Sequence, residues 1–164
     1  MSTKRRSYEK GHNRKYLVVI DDTEECERAV HWAAKRAGRT KSKLIMLRVI
    51  ETSEANQQWL GVADIMKAEE LEAANKALDK YAARAHKIAR VTPERVVREG
   101  DTAQELIKLI DEDTDIGILV LAAGTGKEGP GPLVSSITKT SSTFPVPVAI
   151  VPGFLSDDEL DAMA

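Results

Sequence analysis

Apolar residues are arranged along the chain in two alternating patterns. Short continuous apolar or β-branched runs, typical of strands buried on both faces, occur at residues 16–20, 43–50, 93–97, 116–122 and 146–151. Between them, apolar residues recur on one helical face at residues 24–37, 63–89, 102–110 and 133–143. Strands that alternate with helices predict an α/β fold, in which helices cover both faces of a parallel sheet.

Polar or glycine-containing segments follow three of the predicted strands. Residues 21–23 (DDT) follow the first strand, residues 48–51 (RVIE) close the second, and residues 124–131 (GTGKEGPG) follow the fourth. In parallel α/β sheets, ligands bind beyond the carboxyl ends of the strands, where the strand order reverses. We therefore expect these three segments to converge on one crevice.

The segment after the fourth strand contains Gly124, Gly126 and Gly129 in a G-x-G-x-x-G spacing. A dinucleotide fingerprint would follow the first strand, and a Walker A motif would need Ser or Thr directly after its lysine. The sequence meets neither condition. Two interpretations stay open: a turn that only connects strand to helix, or a phosphate-binding loop in which backbone amides, Ser135 and Ser136 are the donors.

Composition and charge narrow the class of protein. A chain of 164 residues suits one domain, which we place at residues 15–152 between a basic tail (1–14) and an acidic tail (153–164), both expected to be solvated. The net charge of −2 argues against nucleic-acid binding, and no apolar run is long enough to span a membrane. A single cysteine and a first segment without a signal-peptide pattern predict a cytoplasmic location.

Two features beside the expected crevice each allow two interpretations. Asp21 and Asp22 could hold Mg²⁺ together with phosphates, or they could cap the first helix with Thr23. Trp59 could stack on a bound base, or it could cover the core from its loop.

No group of side chains predicts efficient catalysis. Cys26 lies on the apolar face of the first helix and is interpreted as a buried structural thiol. His31 and His86 have no metal-ligand spacing, and we interpret them as surface or hydrogen-bonded histidines. The sequence therefore does not indicate an efficient hydrolase.

The order of the motifs resembles the universal stress protein family. The resemblance rests on residues 17–33 (LVVIDDTEECERAVHWA), 44–51 (LIMLRVIE), 96–110 (VVREGDTAQELIKLI), 119–131 (LVLAAGTGKEGPG) and 144–151 (FPVPVAIV). It implies a three-layer, flavodoxin-like fold with a five-stranded parallel sheet of order 3-2-1-4-5. It also implies small cytoplasmic proteins that act in stress survival and form homodimers through the last strand, here residues 146–151.

Some members of that family bind ATP or AMP. The resemblance implies that the residues at the matching positions of this chain form the same site. The aspartate near adenine and ribose falls on Asp21, and the valine that contacts adenine falls on Val49. The family's nucleotide motif is G-x2-G-x9-G-[ST], and Gly126 and Gly129 match its first half. At the motif's spacing the second half falls on Lys139 and Thr140, where the glycine is absent. Counted back from FPVPV, it falls on Val134 and Ser135 after a shortened loop, with valine in place of the glycine.

Two functional hypotheses follow from the sequence. The first is a regulatory protein that binds ATP or AMP, with or without Mg²⁺, through a set of seven residues: Asp21, Val49, Gly124, Gly126, Gly129, Ser135 and Ser136. The second is a nucleotide-free dimeric interaction module, in which the shortened loop has closed the phosphate site.

Overall fold

The computed structural model of the chain describes residues 3–51 and 60–164. Trp59 lies outside the described residues. Five strands are present in this part of the chain: β1 (Lys15–Val19), β2 (Lys43–Ile50), β3 (Glu94–Glu99), β4 (Ile116–Ala123) and β5 (Val148–Pro152). The helices are α1 (Cys26–Arg39), α2 (Leu60–Ala89), α3 (Thr102–Glu112), α4 (Pro132–Lys139) and α5 (Asp157–Met163), with a short 3₁₀ turn at Ser141–Thr143.

The strands form one parallel sheet in the order β3-β2-β1-β4-β5. In the register of this sheet, Leu17 of β1 lies beside Ile45 of β2 and Leu119 of β4. The predicted α/β class, the five-stranded parallel sheet and its strand order are confirmed.

Alternate side chains of β1 enter two separate cores, because successive residues of a strand point to opposite faces. Tyr16 and Val18 pack in the core formed with α1, α2 and α5, whereas Leu17 and Val19 pack in the core formed with α3 and α4. This double burial explains why β1 is a continuous apolar run. The sheet is the middle of three layers, with helices on both of its faces.

The first helix begins later than its sequence predicts. Thr23 was expected to cap it, but α1 begins at Cys26 after Glu25, whose side chain makes no capping hydrogen bond within the described chain. Thr23 instead donates its backbone N–H to Asp21 Oδ1 at 3.0 Å. This local turn holds residues 21–23 outside the helix, so the prediction that Asp21 and Asp22 cap α1 with Thr23 is wrong.

The last helix–strand unit is shorter than predicted. A helix over 133–143 was expected, whereas α4 ends at Lys139 and a 3₁₀ turn follows. The final strand begins at Val148 instead of 146, because Pro145 and Pro147 have no N–H to donate to a neighbouring strand. Val146 is nevertheless buried in the core beside α3 and α4.

The first described residues pack against the end of α3. The guanidinium of Arg5 donates to the carbonyls of Ile110 and Asp113 at the carboxyl end of that helix, and to the carbonyl of Ile116 at the start of β4. The backbone N–H of Arg6 also donates to Thr114. The structure thus differs from the expectation of a solvated basic tail in the part of the tail that it describes.

The acidic end of the chain forms a helix that packs on α1. Ser156 and Glu159 form a capping box at the start of α5, and Leu160 is completely buried in the core on that face of the sheet. The structure therefore differs from the expectation of a solvated acidic tail.

Within the described residues, no helix has the length and apolarity required to span a membrane.

Candidate functional site

A cavity of about 640 Å³ lies at the carboxyl ends of the central strands. Its walls come from the segments that follow β1, β2 and β4, from the start of α3 and from one side of α2. β1 has β2 on one side and β4 on the other, so the cavity lies where the strand order reverses. Its volume is within the range of small-molecule binding sites.

The structure brings three of the seven candidate residues together in this cavity. Asp21, Val49 and Ser136 are among the residues that line it. The remaining four, Gly124, Gly126, Gly129 and Ser135, are not lining residues. The glycine segment (residues 124–131) instead reaches the cavity through its last two residues, and the first residues of α4 (132–134) continue the wall.

Three of the backbone N–H groups expected to face a phosphate are bonded to nearby carbonyls. Gly124 donates to Pro130 at 3.0 Å, and Gly129 donates to Gly126 at 3.2 Å. Ser135 donates to Gly131 at 3.0 Å, as part of the first turn of α4. The segment is thus folded on itself, and these amides are engaged within it.

The two aspartates after β1 have different partners. Asp21 Oδ1 accepts hydrogen bonds from both the N–H and the hydroxyl of Thr23. Asp22 is mostly exposed and pairs at 3.0 Å with Arg48, whose guanidinium also donates to the carbonyl of Ile20. A cation bound by both aspartates would compete with Arg48 for Asp22.

Carboxylates predominate among the charged residues of the cavity wall. The acidic lining residues are Asp21, Asp22, Glu25, Glu51, Glu70 and Asp101, and Arg48 is the basic one within the described chain. The sequence analysis did not identify this set, because its members come from four segments that only the fold brings together. The polar segments after β1 and β2 were a partial signal.

Glu25 lies where the glycine segment approaches α1. A methyl group added to Gly124 would lie 2.8 Å from Glu25 Oε1, and one added to Gly153 would lie 3.1 Å from Glu25 Cβ. Both values are closer than ordinary van der Waals contact. Glu25 therefore lies in the cavity wall, with its side chain close to the backbone of the residues that follow β4 and β5.

Cys26 is buried beside the same cavity, as predicted. Its thiol donates to the carbonyl of Val19 at 3.6 Å, and burial raises the pKa of Cys26 to about 12. Burial also raises the pKa of the neighbouring Tyr81 hydroxyl. A thiol that stays protonated is a poor nucleophile, so Cys26 is a structural residue.

A second group of polar residues links α1, α2 and α5, the three helices that cover one face of the sheet. His31 is buried, and its two ring nitrogens lie 2.7 Å from Asp161 Oδ1 and 3.1 Å from Arg84 Nη2. Glu27, His31 and Asp157 are close enough to one another to hold a metal ion, but Arg84 lies 2.9 Å from Glu27 and 3.3 Å from Asp157. The group is an ion-pair network, and the interpretation of His31 as hydrogen-bonded is confirmed.

Comparison with known proteins identifies the family. The model of the universal stress protein family matches residues 12–152.

The chain belongs to this family.

A search of curated proteins found no match.

Solved structures of universal stress proteins share the fold. The UspA protein of Lactobacillus plantarum has a TM-score of 0.69 at 17% identity, covering 84% of this chain and 97% of its own. A universal stress protein in complex with cAMP has a TM-score of 0.64 at 21% identity, covering 84% and 96%. The protein of Archaeoglobus fulgidus in complex with dAMP has a TM-score of 0.56 at 16% identity, covering 84% and 97%.

Proposed function

We propose that the chain is a regulatory protein of the cytoplasmic stress response that binds an adenine nucleotide, ATP or AMP, in the cavity beyond β1, β2 and β4. The observation that carries the proposal is the position of this cavity at the reversal of strand order, with Asp21 and Val49 in its wall. Related structures with cAMP and dAMP support an adenine ligand.

Different residues of the cavity wall would contact the ribose, the adenine and the phosphate of such a ligand. The carboxylate of Asp21 would accept a hydrogen bond from a ribose hydroxyl, and the backbone of Val49 would contact the adenine edge. The hydroxyl of Ser136 would be a donor toward the phosphate. Mg²⁺ would enter with the phosphates and would have to share Asp22 with Arg48.

Binding can be tested by calorimetric titration with AMP and with ATP, in the presence and absence of Mg²⁺. We expect saturable heat below about 1 mM ligand, a concentration that corresponds to a binding free energy of about −4 kcal/mol. The variant Ala73→Trp should weaken binding at least about ten-fold, because Ala73 is an exposed residue of α2 in the cavity wall and a bulky ring there would occupy ligand space.

The matched control is Ala83→Trp, which places the same ring on another exposed position of α2 outside the cavity wall. It should bind like the unsubstituted protein. If neither nucleotide gave heat, the proposed function would be contradicted. If Ala73→Trp and Ala83→Trp weakened binding equally, the assignment of the binding site to this cavity would be contradicted.

One observation favours the second hypothesis, a dimeric interaction module. β5 is an edge strand, and Ile150 within it and Phe154 just after it are 40% and 72% exposed. An open strand edge beside exposed apolar side chains is suited to pairing with the same edge of a second copy. We propose this pairing for residues 146–151.

The pairing predicts a dimer in sedimentation that the variant Ile150→Lys converts to a monomer, since the charge would be buried between two edges. The control is Ile107→Lys on α3, a residue that is 45% exposed and remote from β5, and it should stay dimeric. A monomeric unsubstituted protein, or a dimer that survives Ile150→Lys, would contradict pairing through β5. A dimer that binds neither nucleotide would favour the second hypothesis over the first.

A further inference from the structure

The cavity wall has the wrong sign of charge for a highly charged anion. Six carboxylates line it against the single guanidinium of Arg48 in the described chain, and that guanidinium is already paired with Asp22. Lys127 of the glycine segment is exposed, does not line the cavity, and is followed by Glu128.

Glu25 is a carboxylate of the cavity wall that lies against the glycine segment. Its Oε1 atom lies 2.8 Å from the position of a methyl group on Gly124, so the carboxylate lies against the backbone that follows β4. Within the described residues, the Glu25 carboxylate has no salt-bridge partner. Its negative charge is therefore not neutralised inside the protein.

Part of the donor capacity of the glycine segment is already used within the protein. The N–H groups of Gly124, Gly129 and Ser135 donate to carbonyls within the segment and α4. Pro132, the first residue of α4, has no N–H, so one donor is missing where a helix would otherwise present it to an anion. A long phosphate chain would therefore meet the Glu25 carboxylate beside a segment in which three N–H groups are already engaged.

We propose that the cavity selects its ligand by phosphate charge, binding adenosine or AMP in preference to ATP, and that Glu25 imposes this selection by repelling the distal phosphates. The inference rests on the proposed function and specifies the ligand class of the same site. Between like charges a few ångströms apart near a protein surface, repulsion is large enough to change affinity by about ten-fold or more.

The test compares the affinities of adenosine, AMP and ATP for the unsubstituted chain, for Glu25→Gln and for Glu24→Gln, first in EDTA and then with Mg²⁺. Glutamine keeps the size of Glu25 and removes its charge. Glu24→Gln makes the same change of net charge at the adjacent exposed residue, which does not line the cavity. Thermal unfolding of each variant checks that it is folded.

In EDTA we expect the unsubstituted chain to bind ATP at least about ten-fold more weakly than AMP. Glu25→Gln should raise the affinity for ATP by about ten-fold and change that for adenosine less than about two-fold, whereas Glu24→Gln should behave like the unsubstituted chain. Mg²⁺ should strengthen ATP binding more in the unsubstituted chain than in Glu25→Gln, because it neutralises the phosphates that Glu25 repels.

Two results would overturn the selection while leaving the proposed function intact: ATP bound in EDTA as tightly as AMP, or equal gains in ATP affinity from Glu24→Gln and Glu25→Gln. If none of the three ligands binds to any of the three proteins at about 1 mM, the proposed function itself fails and the inference fails with it.

Discussion

Replacing Leu160 with alanine is expected to destabilise the folded protein by about 2–5 kcal/mol. Leu160 is completely buried in the core that α5 shares with α1, although it lies beyond residues 12–152 that match the family model. The loss combines the transfer free energy of the deleted methyl and methylene groups with the cost of the cavity left behind. Urea unfolding at equilibrium measures it as a lower midpoint.

The matched control is Met163→Ala on the same helix. Met163 is 56% exposed, so its truncation should change the free energy of unfolding by less than about 0.5 kcal/mol. Equal effects at the two positions, or an effect of Leu160→Ala as small as that expected for the control, would show that α5 does not contribute to the core. The expected difference would establish that the family domain of this chain is completed by its C-terminal helix.

Replacing Arg28 with methionine is expected to cost about 2–3 kcal/mol at neutral pH, because it removes the guanidinium that links α1 to α5. Arg28 is mostly buried, pairs with Glu27 and with Asp157, and donates to the carbonyl of Leu155 at 2.8 Å. Methionine keeps most of the side chain's packing but removes the donor to the Leu155 carbonyl and leaves Glu27 and Asp157 with Arg84 alone as their arginine partner. Chemical unfolding at pH 7 measures the cost.

The cost of Arg28→Met should become smaller in acid. Hydrogen bonding to Arg28 holds the pKa of Asp157 below its usual value, with a smaller contribution from Arg84. A carboxyl group whose pKa is lowered by folding stabilises the protein above its unfolded pKa of about 4, and this contribution is lost as the pH falls through the folded pKa. Because Asp157 is about half exposed, we expect the acid-sensitive part to be below about 1 kcal/mol.

The control for this prediction is Arg95→Met, which removes an ion pair with Asp79 on the surface. Both side chains are largely exposed, so the change should cost no more than about 1 kcal/mol at pH 7. Two outcomes would contradict the role assigned to Arg28: a cost no larger than that of Arg95→Met, or a cost that does not decrease between about pH 6 and pH 3.

The fold was predictable from the sequence to a large extent, because strands buried on both faces have a simple apolar signature. The runs in β1, β2 and β4 are near-continuous since their alternate residues enter two different cores. The ends of elements were less predictable. Thr23 has the chemistry of a helix cap, yet its N–H and hydroxyl bond to Asp21 and the helix begins three residues later.

The candidate site was predictable in part. The sequence located the segments that meet at the carboxyl ends of the strands, and the family resemblance selected Asp21 and Val49, which do line the cavity. The role assigned to the glycines stays a prediction, and their N–H bonds within the segment could not be anticipated from their spacing. Hydrogen bonds inside a loop depend on φ and ψ values, such as the positive φ of Gly129 and Gly131, that spacing does not specify.

The amino-acid sequence by itself determined the α/β class, the alternation of strands and helices, and the family, because each of these depends on local hydrophobic spacing and on the order of motifs. Only the tertiary structure decided the charge of the cavity. Glu25, Glu70 and Asp101 lie far apart in the chain and enter one wall only after β1, α2 and α3 have packed. The glycine segment that suggested a phosphate site therefore faces a carboxylate, since long-range packing, and not sequence spacing, determines which charges become neighbours.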